Sequence, residues 1–256
     1  MDDAELRALV QRNLMTVSSW VGEGDGGAID RRDGELLFAS SSPLPFLNGV
    51  MREGPGGDAR QLLERAREFF FSRDRGFVVY TDPGDPELEE AAQAAGMFVV
   101  LDRYPEMICR GPLPGLDADL RPVETREDAV AYWQVCDLSY PSLGMPEGAL
   151  GSAFTPESQL DADRVAACLA LADGKPAACA SLYEADGVGM VGWVAAIPEA
   201  RGRGLAAACT VWATNTGFER GAAIVSLQAS HMGEDIYRRL GYEELFSYRL
   251  YGAMPS

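Results

Sequence analysis

The segment best suited to chemistry is a run of glycine and arginine, Arg201–Ala206, which reads RGRGLA. It follows an apolar run that predicts a buried strand and precedes apolar residues at helical spacing. Glycines let an anion approach the backbone, and the unbonded N–H groups at a helix start carry roughly half a positive charge. Because Arg201 and Arg203 add full positive charges, the segment predicts a site for a pyrophosphate.

The same glycines permit a second interpretation. Gly202, Gly204 and Ala207 fit the pattern G-x-G-x-x-A, which would indicate a nicotinamide- or flavin-dependent oxidoreductase. In that fold the glycines follow the strand directly, and a carboxylate ends the next strand about 20 residues later. Here residues 198–200 intervene, and the next predicted strand ends at Gln228 without a carboxylate. The oxidoreductase is therefore the less favoured alternative.

The elements that must position the segment form a β-rich region followed by alternating helices and strands. Turn residues at 173–174 and 186–187 separate three apolar runs, which predicts antiparallel strands. The predicted strands are Arg164–Ala172, Ala177–Glu184, Val188–Ala196 and Ala222–Gln228. One helix is predicted from Leu205 to Thr216, and a short helix around Tyr237 is predicted to be capped by Ser230 and closed by Gly241. Tyr242–Tyr251 is predicted to supply the last, hairpin-like strands.

Upstream of these strands the pattern is less regular. Asp119–Val123 predicts a strand and Glu127–Leu138 an amphipathic helix. Tyr140–Leu160 is rich in proline, glycine and serine, which indicates a long loop or short broken helices. Because loops of that length in compact domains are usually functional, this one is a candidate to face the substrate.

Two segments together resemble the GNAT superfamily of acetyltransferases. Arg201–Ala206 fits that family's loop Gln/Arg-x-x-Gly-x-Gly/Ala, and Ile236–Tyr242 is similar to its segment aliphatic-Tyr-x-x-Leu-Gly-aromatic. The resemblance covers about residues 117–251 and implies an α+β or α/β fold with a mixed, mostly antiparallel central sheet flanked by helices. It also implies acetyl-CoA (coenzyme A) as co-substrate and no metal. The residues that it implies in cofactor binding are Val194, Ala195, Ala196, Arg201, Gly202, Arg203, Gly204, Leu205, Ala206 and Ser230.

Catalytic candidates follow from this resemblance. A tyrosine hydroxyl has a reference pKa near 10, so Tyr237 could protonate the thiolate of CoA as it leaves; the alternative is a core tyrosine on an apolar helix face. Glu184, at a strand end, and His231, beside Ser230, are weak candidates for the base that deprotonates an amine, since each could instead be an ordinary turn residue. A base acting through water would leave no signature.

The first half of the chain repeats the order of these elements. A strand-like run at Phe46–Met51, a glycine-rich loop, a helix at Ala59–Phe71 and a strand at Phe77–Tyr80 match the order after residue 188. Asp58 falls within the equivalent loop, where its carboxylate would repel a pyrophosphate. Ala92 falls at the position of Tyr237 and cannot protonate a thiolate. We therefore expect a degenerate GNAT-like domain at 1–112, a linker near 110–116 and a catalytic domain at 117–256, as in tandem GNAT enzymes.

The composition of the chain limits the classes of molecule that it is expected to bind. The chain of 256 residues has a formal net charge of −17, which disfavours nucleic acid and favours a cationic partner. Its apolar runs are short, its N-terminus is acidic and its five cysteines are scattered, so we expect a cytoplasmic protein with reduced thiols and no membrane contact. The predicted activity is acetyl transfer to a primary amine of a small molecule or peptide by direct attack in a ternary complex, in a monomer or homodimer. A catalytically silent CoA-binding or regulatory module is the alternative.

Overall fold

The structure is a computed structural model that describes residues 1–255. These residues divide into two units by their internal contacts. The first contains residues 1–106 and the residues from Glu244 onward, and the second is Met107–Glu243. The predicted domain boundaries differ from this division mainly at the C-terminal strand, which the structure groups with the first unit.

The first unit is built on a sheet with the strand order β1-β2-β3-β4-β11-β5. β1, β2 and β3 are antiparallel, β3 and β4 are parallel, and β11 is antiparallel to β4. Its elements are α1 (Asp3–Glu23), β1 (Ala28–Arg32), β2 (Glu35–Ala39), β3 (Asn48–Arg52), α2 (Ala59–Phe71), β4 (Phe77–Thr81), α3 (Pro86–Ala94), β5 (Phe98–Cys109) and, from the end of the chain, β11 (Glu243–Ala253).

Two features of this unit differ from the sequence interpretation. The run that begins at Phe46 is not a strand throughout, because Pro45–Leu47 form a 3-10 turn before β3. The buried amide of Asn48 holds that turn by donating to the carbonyl oxygens of Ser42 and Leu44 at 3.0 and 2.9 Å. The helix α1, begun by a capping box at Asp2, had no counterpart in the sequence interpretation.

The second unit contains the predicted antiparallel strands and helices. The end of β5 lies beside β10, and the order continues β10-β9-β8-β7-β6; β6 to β9 are antiparallel and β10 is parallel to β9. Its other elements are β6 (Leu120–Pro122), α4 (Arg126–Ser139), α5 (Ala149–Ala153), β7 (Val165–Ala172), β8 (Lys175–Ala185), β9 (Val188–Ala196), α6 (Leu205–Glu219), β10 (Ile224–Gln228) and α7 (Glu234–Leu240). The predicted mixed, mostly antiparallel sheet with flanking helices is confirmed.

Two local predictions in this region are wrong. Ser230 does not cap α7 with its side chain: the N-cap is Gly233, and the Ser230 carbonyl instead accepts the N–H of Gly233. The run Tyr242–Tyr251 does not form a hairpin, because β11 continues as one strand from Glu243 to Ala253. It contains no glycine, proline or asparagine before Gly252 that would support a tight turn.

Alternate residues of β8 separate the two faces of this sheet. Ala178, Ala180 and Leu182 belong to the core that also contains Cys209 and Ala213 of α6. The intervening residue Ser181 bonds instead to Tyr132 of α4. Since side chains alternate along a strand, α4 and α6 lie on opposite faces of the sheet. The segment between α4 and β7 consists of short helical turns and α5, as its composition predicts.

Candidate active site

The start of α6 presents unbonded backbone N–H groups. Gly202 and Gly204 have φ of +76° and +78°, a left-handed conformation that glycine adopts without strain. Gly204 is the N-cap, no side chain caps the helix, and its first turn contains no acidic residue. In the described residues, no acceptor is bonded to the N–H groups of positions 202–207. These donors, at the positive end of a helix, are suited to a phosphate.

The two arginines of this loop have different surroundings. Arg201 donates to the carbonyl oxygen of Ser139 at 3.2 Å and to Oγ of Ser142 at 2.9 Å, so its guanidinium connects the loop to the end of α4. The Arg203 side chain is half-exposed, and its nearest carboxylate, that of Asp173, is 3.9 Å away. A contact that long and exposed is weak, which leaves Arg203 available to an anion.

β9 separates from β10 beside this loop. The two strands pair from Val188 to Met190 of β9, and the pairing then ends although β9 continues to Ala196. On its other side β9 contains a bulge: Cys179 of β8 pairs with Ala195, whereas Ser181 pairs with Gly192. One extra residue in β9 therefore faces β8, and the backbone after residue 190 has no strand partner toward β10.

Trp193 lies at this bulge with a φ of +50°. Positive φ is uncommon for a bulky residue, so the surrounding contacts must hold it. Its carbonyl oxygen accepts a hydrogen bond from the hydroxyl of Tyr132 at 3.2 Å, and the thiols of Cys136 and Cys179 lie 3.8 and 3.7 Å from it. The bulge is thus fixed by side chains of α4 and β8.

A buried polar chain continues from Tyr132 across the same face. Oγ of Ser181 lies 2.7 Å from the Tyr132 hydroxyl and donates to Oε1 of Gln159 at 2.5 Å. The Gln159 amide donates to the hydroxyl of Tyr183 at 3.1 Å. The sequence interpretation missed this polar chain and Trp193, because none of these residues belongs to a motif. The one pattern that could have indicated the chain is the polar residue Ser181 inside an apolar strand.

Tyr237 lies on α7, and its side chain is buried. Its ring belongs to the same core as Leu205, against which Val194 and Ala196 of β9 pack. No described residue is bonded to the hydroxyl, and burial raises the pKa of Tyr237 above its ordinary value, so the phenol keeps its proton. A Cβ at Gly233 would lie 2.7 Å from the ring, which explains why a small residue is needed there.

The remaining sequence candidates lie in different places. Ser230 and His231 are in the turn that precedes α7, with His231 exposed and Ser230 half-buried. Glu184 is not brought to this end of the unit: its carboxylate accepts a hydrogen bond from Arg220, just beyond the C-terminus of α6, at 2.7 Å. Because α6 has 15 residues and is therefore about 22 Å long, Glu184 is separated from the glycine loop by the length of that helix.

The equivalent helix start in the first unit is occupied by a side chain. Asp58 is the N-cap of α2, and its carboxylate accepts the N–H groups of Arg60 and Gln61 at 2.9 and 3.2 Å. A negative charge thus already lies where a phosphate would bind. Ala92, on α3, is fully buried and has no group that could transfer a proton.

Comparison with known proteins agrees with this geometry. Residues 129–242 match the model of the acetyltransferase (GNAT) family. The chain is similar to a GCN5-related N-acetyltransferase from Kribbella flavida, with 26% identity, 95% of each chain covered and a TM-score of 0.70. Comparison with curated protein sequences gives no match.

Two more distant structures share the fold. A GCN5-related N-acetyltransferase from Sphaerobacter thermophilus is 15% identical over 94% of this chain and 91% of its own, with a TM-score of 0.61. A tandem GNAT protein from the clavulanic acid biosynthesis pathway is 16% identical over 100% of this chain and 98% of its own, with a TM-score of 0.62. The tandem arrangement predicted from the internal repeat is therefore confirmed at the level of the fold.

The described part of the chain contains neither a membrane-spanning helix nor a cluster of metal ligands. Within residues 1–255, none of the helices has the length and apolar character needed to cross a membrane. The same residues contain no group of three or more histidine, cysteine, aspartate or glutamate side chains arranged to hold a metal ion.

Proposed function

We propose that this chain, whose residues 129–242 match the model of the acetyltransferase (GNAT) family, transfers the acetyl group of acetyl-CoA to a primary amine by direct attack in a ternary complex. The family's reaction makes the chain an acyltransferase with acetyl-CoA as co-substrate. The oxidoreductase alternative is therefore wrong, and the antiparallel strands before the loop agree with that outcome. The acceptor and the mechanism are the parts we propose.

The observation that carries this proposal is the uncapped start of α6. The N–H groups of residues 202–207 have no described partner, and they lie at the positive end of a helix. We assign the pyrophosphate of CoA to these groups and to Arg203, since hydrogen bonds to a charged group each contribute about 1.5–3 kcal/mol. Arg201 does not need to contact the phosphate in this proposal, because it stabilises the loop through its hydrogen bonds to Ser139 and Ser142.

The unpaired edge of β9 supports the assignment of the pantetheine arm. Beyond Met190 the backbone of β9 has lost β10 as a partner, so Val194, Ala195 and Ala196 offer groups to an extended amide-containing chain. An arm running from the loop along this edge would reach the bulge at Trp193. We place the thioester there, with Ser230 as a further hydrogen-bonding group of the CoA site.

Tyr237 is our proposed general acid. Its proton is retained at neutral pH because burial raises its pKa, and its hydroxyl is not committed to a described protein acceptor. It can therefore donate to the thiolate of CoA as the tetrahedral intermediate collapses. We assign removal of the amine proton to water, with His231 as the side-chain alternative, and Glu184 is set aside because of its bond to Arg220.

The rest of the chain has a supporting role in this proposal. The capped start of α2 argues that the domain at 1–112 is a scaffold and that the domain at 117–256 is the catalytic one. The acceptor is a small-molecule or peptide amine, attracted by the acidic net charge, and we propose no nucleic-acid or membrane partner and a monomer or homodimer. The five cysteines are free and buried, which supports a reducing compartment such as the cytoplasm.

A panel of primary amines tests the function. Release of CoA from acetyl-CoA is measured with and without each amine, and Tyr237→Phe is the matched control that keeps the ring. We expect amine-dependent release by the native chain and much slower release by the variant. Tight CoA binding with no release for any amine would instead establish the silent module.

A further inference from the structure

Four aromatic rings surround the bulge of β9, and we call them the aromatic cluster: Trp133, Tyr140, Phe154 and Trp193. Trp133 and Phe154 are stacked, with ring centroids 4.7 Å apart and planes 7° from parallel. The Trp193 ring packs edge-on against both, at 5.8 Å from Trp133 and 5.2 Å from Phe154. Tyr140 lies 5.4 Å from Trp193 on another side. The rings come from α4, from the turns that follow it and from β9.

The cluster is adjacent to both parts of the proposed CoA site. Trp193 is the bulge residue beside which we place the thioester, and its neighbour Val194 begins the segment assigned to pantetheine. Ser139, next to Tyr140 in the chain, accepts a hydrogen bond from Arg201 of the glycine loop at 3.2 Å. A molecule resting on these rings would therefore be close to the reacting carbonyl, as an acceptor must be.

Two features indicate that the cluster is a site and not just part of the core. Trp193 has the only positive φ among the tryptophans of residues 1–255, a strained conformation that is concentrated at ligand sites. The indole Nε1 of Trp133 is buried without a hydrogen-bond partner, although buried donors are nearly always paired. The other three rings remain half-buried, so a ligand could reach them.

The position of Phe154 is fixed by a carboxylate. Asp137, one helical turn after Trp133, accepts the N–H groups of Leu150 and Gly151 at 2.9 and 3.0 Å. These bonds hold the first turn of α5 against α4, and Phe154 is the residue that ends α5. The stack of Trp133 on Phe154 is thereby preorganised, which reduces the entropy lost when a ligand binds.

The spacing of the rings indicates what they bind. The rings are in mutual contact at 4.7–5.8 Å, and Trp193 is inclined by 53–70° to its three neighbours. They leave no room for an ammonium between them, so the cluster offers ring faces and edges to a ligand and is not a cation cage. We infer that the aromatic cluster is the acceptor subsite and selects amines that carry an aromatic ring, an inference that rests on the proposed acetyl transfer.

The test compares two amines that differ in the ring alone. 2-Phenylethylamine and 2-cyclohexylethylamine have similar size and reactive groups, and stacking contributes about 0.5–1.5 kcal/mol, which corresponds to roughly two- to tenfold in affinity. We expect 2-phenylethylamine to have the higher kcat/KM by that factor, and spermidine to be the poorest of the three. Phe154→Leu should abolish the difference and leave the KM for acetyl-CoA unchanged. Phe69→Leu, in α2 of the first unit, is the matched control and should preserve it.

A binding measurement separates this inference from the function on which it rests. The same two amines are titrated calorimetrically into the CoA complex of the native chain and of Phe154→Leu. Tighter binding of 2-phenylethylamine that Phe154→Leu removes would support the cluster even if no amine were acetylated. Equal binding of the two amines, or a preference that survives in Phe154→Leu, would overturn the inference, and turnover of spermidine alone would overturn it while leaving acetyl transfer intact.

Discussion

The N-termini of α2 and α6 occupy equivalent positions in two copies of one strand–helix–strand arrangement, but they differ in how they are capped. Each helix follows a strand that is parallel to the next strand in the chain. α2 is capped by Asp58, whose carboxylate accepts two backbone N–H groups. α6 begins at Gly204, which has no side chain and leaves its N–H groups open. One N-cap residue thus distinguishes a structural helix start from the proposed anion site.

This difference teaches that stability and binding compete for the same backbone donors. Replacing a capping carboxylate by alanine costs a helix about 0.5–2 kcal/mol, whereas replacing it by glycine costs only about a few tenths of a kcal/mol. The glycine N-cap therefore leaves the N–H groups of α6 open at a small cost in stability, and we propose that phosphate binds to them instead. The two units differ again after the next strand, where one has the buried Ala92 and the other Tyr237.

The largest expected effect concerns Tyr237. Tyr237→Phe removes the hydroxyl and keeps the ring, so acetyl-CoA affinity should change little while kcat falls by about 10²–10⁴. Burial raises the pKa of Tyr237, so the native phenol stays protonated at neutral and mildly alkaline pH, and we expect it to supply the acid over that range. The defect should be smallest at low pH, where solvent can donate the proton. An unchanged acetyl-transfer step in pre-steady-state kinetics would remove Tyr237 from the catalytic residues.

The second largest effect is expected when the N-cap of α6, Gly204, is replaced by aspartate, the residue type that caps α2. Gly204→Asp should weaken CoA binding by at least about tenfold more than Gly204→Asn, because the two side chains share shape and tolerate left-handed backbone but only aspartate repels the pyrophosphate. Calorimetric titration of CoA into the two variants measures the difference. Equal affinities would show that the start of α6 does not hold phosphate.

The smallest effect is expected at α2. Asp58→Ala should lower the free energy of unfolding by about 0.5–2 kcal/mol through loss of the cap, whereas Asp58→Asn, which still caps, should change it little. Urea denaturation measures both values, and CoA affinity should be unaffected in both variants. A change in CoA affinity in Asp58→Ala would indicate that the first unit takes part in binding.

The sequence predicted the elements that depend on local patterns. Short turns at 173–174 and 186–187 predicted the strands β7, β8 and β9, and the glycine loop located the start of α6 within one residue. Helix α1 and strand β5 were not predicted, because neither contains a motif or belongs to the internal repeat. The partner of β11 could not be predicted, since strand pairing over such a distance depends on tertiary contacts.

The candidate site was predictable only where it is contiguous. The loop Arg201–Ala206 and the segment around Tyr237 are local patterns. The bulge at Trp193 is not, because one extra residue in an apolar run leaves the composition of the strand unchanged. Nor could the stack of Trp133 on Phe154 be read from spacing, since α5 and Asp137 bring those rings together.

The most direct test of the central comparison is the number of CoA molecules bound per chain. Calorimetric titration of the unmodified protein should give one site. Gly204→Asp should weaken that site by at least about tenfold relative to Gly204→Asn, and Asp58→Ala should leave its affinity unchanged. This result is expected because the described N–H groups are open at α6 and bonded at α2. Two sites in the unmodified protein, or equal affinities of Gly204→Asp and Gly204→Asn, would contradict the account.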